Sequence, residues 1–311
     1  MKIDSSAIEI DASVLPPSRT GLWWGLLGVA AFSLTVPCTR IDVAGGGMSP
    51  LFIASGRAVI AAVLAASALV ITRQHRPRGN QWGRLVLVAG GVVVGFPVLT
   101  SFALTTASAS HSAVVIAILP AATAVLAVVR GHERPPRSFW IMAAAGAVAA
   151  VGFAAVRGGG LTGLTLSDLL LFGAVIAAAV GYAEGGLLAR ELGAWQTVSW
   201  ALVLSAPLMV ALGGVSMEAL PPTGTVIEWI AFGYLAVVSA FLGFFAWYRG
   251  LAIGPMTQVS QVQLSQPVMT ICWAALLLGE SVTWATVLGG VVVIGCAGLA
   301  VRARLFGQIR R

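Results

Sequence analysis

Apolar residues in this chain come in runs of about twenty, each closed by a short polar or glycine-rich turn, and about twenty is the length a helix needs to cross a bilayer. The pattern predicts ten helices: α1 over residues 21–40, α2 over 49–72, α3 over 85–106, α4 over 108–129, α5 over 138–156, α6 over 168–190, α7 over 195–214, α8 over 226–249, α9 over 255–278 and α10 over 282–302. Trp23, Trp24, Trp195, Trp229 and Trp284 sit near helix starts, where a membrane interface would fall. Gly91 and Gly95 in α3 have the small-xxx-small spacing that lets helices approach closely.

Two stretches follow one plan. Residues 103–133 lie over residues 250–280 at a constant shift of 147, which pairs Leu104 with Leu251, Pro120 with Pro267 and Glu133 with Glu280. Each copy has a small-polar lead-in, a membrane-length apolar helix with a central proline, and an acidic turn at its far end. A duplicated unit of five helices accounts for the match.

Composition agrees with the pattern. With 58% hydrophobic and 9% charged residues, the chain has too little polar surface to dissolve as a globule. Its net charge of +7 is scattered over short loops with no aromatic platform beside it, which excludes a nucleic-acid binder. With both termini cytoplasmic, fifteen Lys and Arg fall inside and only Arg40 and Arg157 outside, Arg57 lying within α2. Five helices per unit is an odd number, so the second unit enters from the opposite side.

The fold class is therefore an all-α integral membrane protein, with ten transmembrane helices as two inverted five-helix repeats around a central cavity. Residues 1–20 form a disordered cytoplasmic tail without the apolar segment of a signal peptide. The first repeat spans 21–156, an external linker 157–167, the second repeat 168–303 and a basic cytoplasmic tail 304–311. Cys38, Cys272 and Cys296 lie in apolar spans, so neither a disulfide nor a metal site is expected, and no cofactor is called for. Both halves of a path lie in one chain, which suits a monomer in a lipid bilayer. A membrane enzyme would need paired acids, a metal set or a nucleophile with its base, and the spans supply none of these.

Several of these residues resemble a known family, the EamA branch of the drug/metabolite transporter superfamily. The likeness rests on Ala103-Leu104 and Pro120 with Gly131-His132-Glu133, on Gly250-Leu251 and Pro267 with Gly279-Glu280, and on FFAWYRGLA at 244–252, and it covers about residues 20–305. Within the superfamily the chain looks most like the YddG-type amino-acid exporters. The resemblance implies a secondary transporter in the bacterial inner membrane that exports amino acids, apolar and aromatic ones included, and similar amphipathic metabolites. The alternative is efflux of lipophilic cations.

Polar side chains at mid-depth mark either a solvent path or interhelical contacts. Gln258, Gln261 and Ser265 share one face of α9, with Gln263 and Gln266 beside it, and the repeat places His111 opposite Gln258. Thr100 and Ser101 on α3 correspond to Trp247 and Tyr248 on α8, while Tyr182 and Tyr234 sit deep in α6 and α8. His111, Gln258, Gln261, Ser265, Tyr182, Tyr234, Thr100, Ser101 and Trp247 are the cavity candidates, and Pro120 and Pro267 the gating hinges. Arg57 and Glu184 are candidates for charge binding or coupling; their depths differ by on the order of 10 Å, so they are not expected to pair.

Overall fold

The computed structural model describes residues 19–130, 136–157, 164–253 and 262–309. Every regular element among them is helical. Nine helices there are long and apolar enough to cross a membrane: α1 Thr20–Ala44, α2 Pro50–Ile71, α3 Gln81–Ala103, α4 Ala109–Arg130, α5 Arg137–Ala155, α6 Leu166–Ala189, α7 Ala194–Ala219, α8 Val226–Gly250 and α10 Trp284–Ala303. The shorter apolar helix Gln263–Leu278 takes the place of α9. Gln258 and Gln261 lie outside the described residues, as does the GHE turn after α4.

Polar side chains fix the helix starts. Ser49 accepts from the Phe52 amide ahead of Pro50, Ser108 accepts from the His111 amide, and Thr165 with Asp168 and Thr225 with Glu228 form capping boxes. Such a cap stabilises its helix by about 1 kcal/mol. Two boundaries differ from the sequence expectation in ways that matter. α1 runs on through Asp42, and α3 begins at Gln81, which brings Arg84 into a helical turn.

Prolines set the breaks inside helices, because a proline has no N–H to give the carbonyl four residues earlier. In α1, Pro37 leaves the Ser33 carbonyl free; the helix is interrupted at Leu34, and that carbonyl accepts from Thr270 Oγ1 of α9 at 2.8 Å. In α4, Ala117 and Ile118 leave the α pattern just ahead of Pro120, and in α9 the tighter turn Gln263–Ser265 precedes Pro267. Those two breaks fall at equivalent places under the shift of 147 residues.

The midsections of α3 and α8 also correspond. Each winds as a π-helix, over Ala89–Gly95 and over Tyr234–Leu242. The amide of Phe96 reaches the carbonyl of Gly91, and the amide of Gly243 that of Val238, so both wide turns close at matching residues. π segments inside α-helices occur frequently at functional sites.

Helix pairing follows the same equivalence: α2 packs along α7, α5 along α10, α3 along α6 and α1 along α8. Close approach at two of these crossings depends on glycine. A Cβ on Gly91 would come within 2.3 Å of the Ala177 carbonyl oxygen on α6, and one on Gly250 within 2.6 Å of the Gly25 amide nitrogen on α1. Gly91 thus does what its spacing predicted. Large apolar side chains such as Val63, Ile176, Leu208, Leu276 and Val291 stay exposed on the outer faces, as lipid contact requires.

Candidate functional site

A central cavity of about 760 Å³, including its part open to solvent, lies where α1, α2, α3, α6, α7 and α8 converge with the broken segments of α4 and α9. Its walls use the same positions twice: Thr35 and Tyr182, Val92 and Ser239, Val93 and Ala240, Pro97 and Phe244, and Leu119 and Gln266 are partners under the shift of 147, and all ten line it. Four of those wall residues, Val92, Val93, Ser239 and Ala240, belong to the π segments.

The lining is mostly apolar and aromatic. Phe32 packs on Phe244 with ring centroids 4.8 Å apart, and Tyr182 meets Phe244 edge-on at 6.3 Å. Thr35 and Ser239 share a 2.7 Å hydrogen bond across the α1–α8 contact. Among the described lining residues Arg57 is the one charged side chain. It is only 4% exposed, and its Nη1 has no hydrogen-bond partner among the described residues. Its repeat equivalent is Leu204, so the charge breaks the two-fold likeness of the walls.

Beside this cavity a smaller one separates α4 from α9, and both Pro120 and Pro267 line it, with Gln263, Gln266 and Thr270. A third hollow lies at the α4–α6 end of the bundle, around His111, Ser108, Ser167 and Asp168. There His111 Nε2 is 2.6 Å from Asp168 Oδ1, and the ring stacks on Phe153. Close by, Glu280 accepts from the amides of Ala109 and Ser110 at 2.7 and 2.8 Å, where a helix N-terminus favours a carboxylate.

Of the sequence candidates, the structure brings Arg57 and Tyr182 to the central cavity and Pro120 and Pro267 to its neighbour. His111 stands apart, at the third hollow. Tyr234 donates to the Ala31 carbonyl at 3.0 Å, Thr100 to the Phe96 carbonyl at 2.7 Å and Ser265 to the Val262 carbonyl at 2.7 Å, while Ser101 and Trp247 are buried in packing. Glu184 joins two arginines: Arg84 Nε at 2.5 Å and Arg130 Nε at 2.9 Å. Arg84 also pairs with Glu191, whose carboxyl the guanidinium and Gln81 hold below the usual carboxylate range. Glu184 is one of several buried acids, with Asp42, Asp168 and Glu228. Sequence reasoning missed Phe32, Phe244 and Asp42; the first two carry no polar signal, and Asp42 was read as loop.

Residues 19–155 and 165–302 each match the EamA-like transporter family. The chain belongs to that family. As an EamA-like transporter it is a multi-pass membrane protein whose two matched segments divide it into halves. It is 43% identical over 281 residues to the uncharacterized transporter YdeK of Bacillus subtilis, covering 89% of this chain and 96% of that one. A probable terminal-alkyne amino-acid exporter of Streptantibioticus cattleyicolor is 27% identical over 297 residues, 93% of this chain and 95% of the other. A solved crystal structure superposes with a TM-score of 0.64 at 16% identity, covering 94% of this EamA-like transporter and 99% of that chain, a likeness of fold.

Proposed function

We propose that this EamA-like transporter exports amino acids, including apolar and aromatic ones, and similar small amphipathic metabolites across the bacterial inner membrane by alternating access. Ten helices in two inverted five-helix repeats, with both termini cytoplasmic, would form the path within one monomer. The observation that carries the reading is Arg57: a buried guanidinium with a free donor, set in an aromatic and apolar cavity that no acid lines among the described residues. A guanidinium binds a carboxylate with charge-assisted hydrogen bonds, while Phe32, Phe244 and Tyr182 accept an apolar side chain. The relative named as an amino-acid exporter supports the same class. Efflux of a lipophilic cation would place like charge against Arg57.

The paired breaks at Pro120 and Pro267 would serve as hinges, bending α4 and α9 so that one gate opens as the other closes. Purified protein in liposomes decides the substrate class. Labelled phenylalanine and leucine should be transported and a quaternary ammonium compound should not; transport of the ammonium compound alone would overturn the reading.

A further inference from the structure

Asp42 is a buried acid that the cavity description does not use. It is 0% exposed, and neither carboxylate oxygen has a hydrogen-bond partner among the described residues. The charged groups whose fields reach it are Arg57 of α2 and Glu228 of α8. Glu228 is committed to its capping box, where Oε2 accepts from the Thr225 amide at 2.5 Å. Other titratable groups on the elements packed against this end of α1 have partners of their own. Arg40 donates to the Leu104 and Thr105 carbonyls, His111 meets Asp168, Tyr234 donates to Ala31, and Glu280 caps α4. Cys38, one turn before Asp42, is buried and apolar in its surroundings.

Arg57 therefore lines the cavity and also lies within electrostatic reach of Asp42, which in turn feels Glu228. With both acids ionised the trio carries one excess negative charge inside a dry bundle, which is costly without partners. A solute carboxylate on Arg57 would add a second negative charge. One proton on Asp42 removes the excess and leaves the guanidinium free to act on the cavity side.

Building on the carboxylate reading of Arg57, we propose that Asp42 is the exchangeable proton site of the transport cycle and takes up a proton as a carboxylate solute binds at Arg57. Loading forms an O–H bond between a bulk proton and one Asp42 oxygen, and release breaks it, with no other bond altered. Proton and solute then cross together. Export runs on the solute's own outward gradient, and an acidic exterior opposes it.

The test uses the full-length protein in detergent with L-phenylalanine as probe, bound in weakly buffered solution with proton uptake followed directly. Wild type should take up protons on binding phenylalanine, approaching one per ligand as the starting pH is raised and Asp42 starts ionised, and should bind more tightly as the pH falls. Asp42→Asn should bind with no proton uptake and no pH dependence. Binding by wild type without proton uptake at any starting pH, or unchanged uptake in Asp42→Asn, overturns this inference alone. Absence of phenylalanine binding at every pH overturns the carboxylate reading, and the linkage falls with it. Should the Asn variant fail to fold, the two wild-type measurements still decide.

Discussion

Pro120 and Pro267 line one small cavity between α4 and α9, each just after a local departure from α-helical hydrogen bonding. The prolines that break the two equivalent helices of the repeat thus face one shared space. Alanine at either site restores the missing N–H and favours a straight helix by about 3 kcal/mol in propensity. If the breaks are hinges, Pro120→Ala and Pro267→Ala should each slow transport roughly tenfold while the phenylalanine Kd changes less than about threefold. Flux in liposomes beside equilibrium binding separates this from static kinks, for which flux would be unchanged.

Removing the guanidinium should cost affinity selectively. A hydrogen bond to a charged group contributes about 1.5–3 kcal/mol, so Arg57→Gln should weaken phenylalanine binding by roughly 10- to 150-fold. Phenylalaninamide, which lacks the carboxylate, should bind the variant and wild type alike. Equal loss for both ligands would show that Arg57 acts only in packing.

Glu184 belongs to a different part of the molecule. It ties Arg84 of α3 and Arg130 of α4 to α6, away from the central cavity, so Glu184→Gln should leave downhill export largely intact. The expected loss is stability, about 1–2 kcal/mol after allowing for the exposure of Arg130, read as a lower Tm in detergent. Abolished transport with normal expression and folding would give Glu184 a part in the cycle. The neighbouring Glu191 has a depressed carboxyl, so its support for this cluster is complete at neutral pH and is lost as the pH falls through its lowered value.

His111 and Asp168 join α4 to α6 outside the central cavity. His111→Ala should lower thermal stability yet keep phenylalanine affinity within about twofold, because sites without shared contacts act independently. A larger loss of affinity would bring His111 into the substrate path.

The helices were readable because a span must be apolar for its whole length, and a duplicated proline shows even in one sequence. The cavity was harder to read. Arg57 stood out as a charge within an apolar run, and Tyr182 as a deep hydroxyl. Phe32 and Phe244 did not, since an apolar ring on an apolar helix gives no sign of the face it occupies. Asp42 was lost for another reason: Arg40, Asp42 and Gly45–Gly47 together break the hydropathy pattern, although the helix runs on to Ala44. Thr100 and Ser265 drew attention as mid-depth polar groups, but their hydroxyls are used on carbonyls of their own helices.

Each π segment carries one residue more than the regular helix around it could hold. Were Ala89–Gly95 or Tyr234–Leu242 to close as an ordinary α-helix with every residue kept, everything beyond would turn by about 100° about the axis. Pro97 or Phe244 would swing away from the centre. In this bundle the more regular helix is the one that loses the wall of the cavity, so each surplus residue has to stay wound in its wide turn.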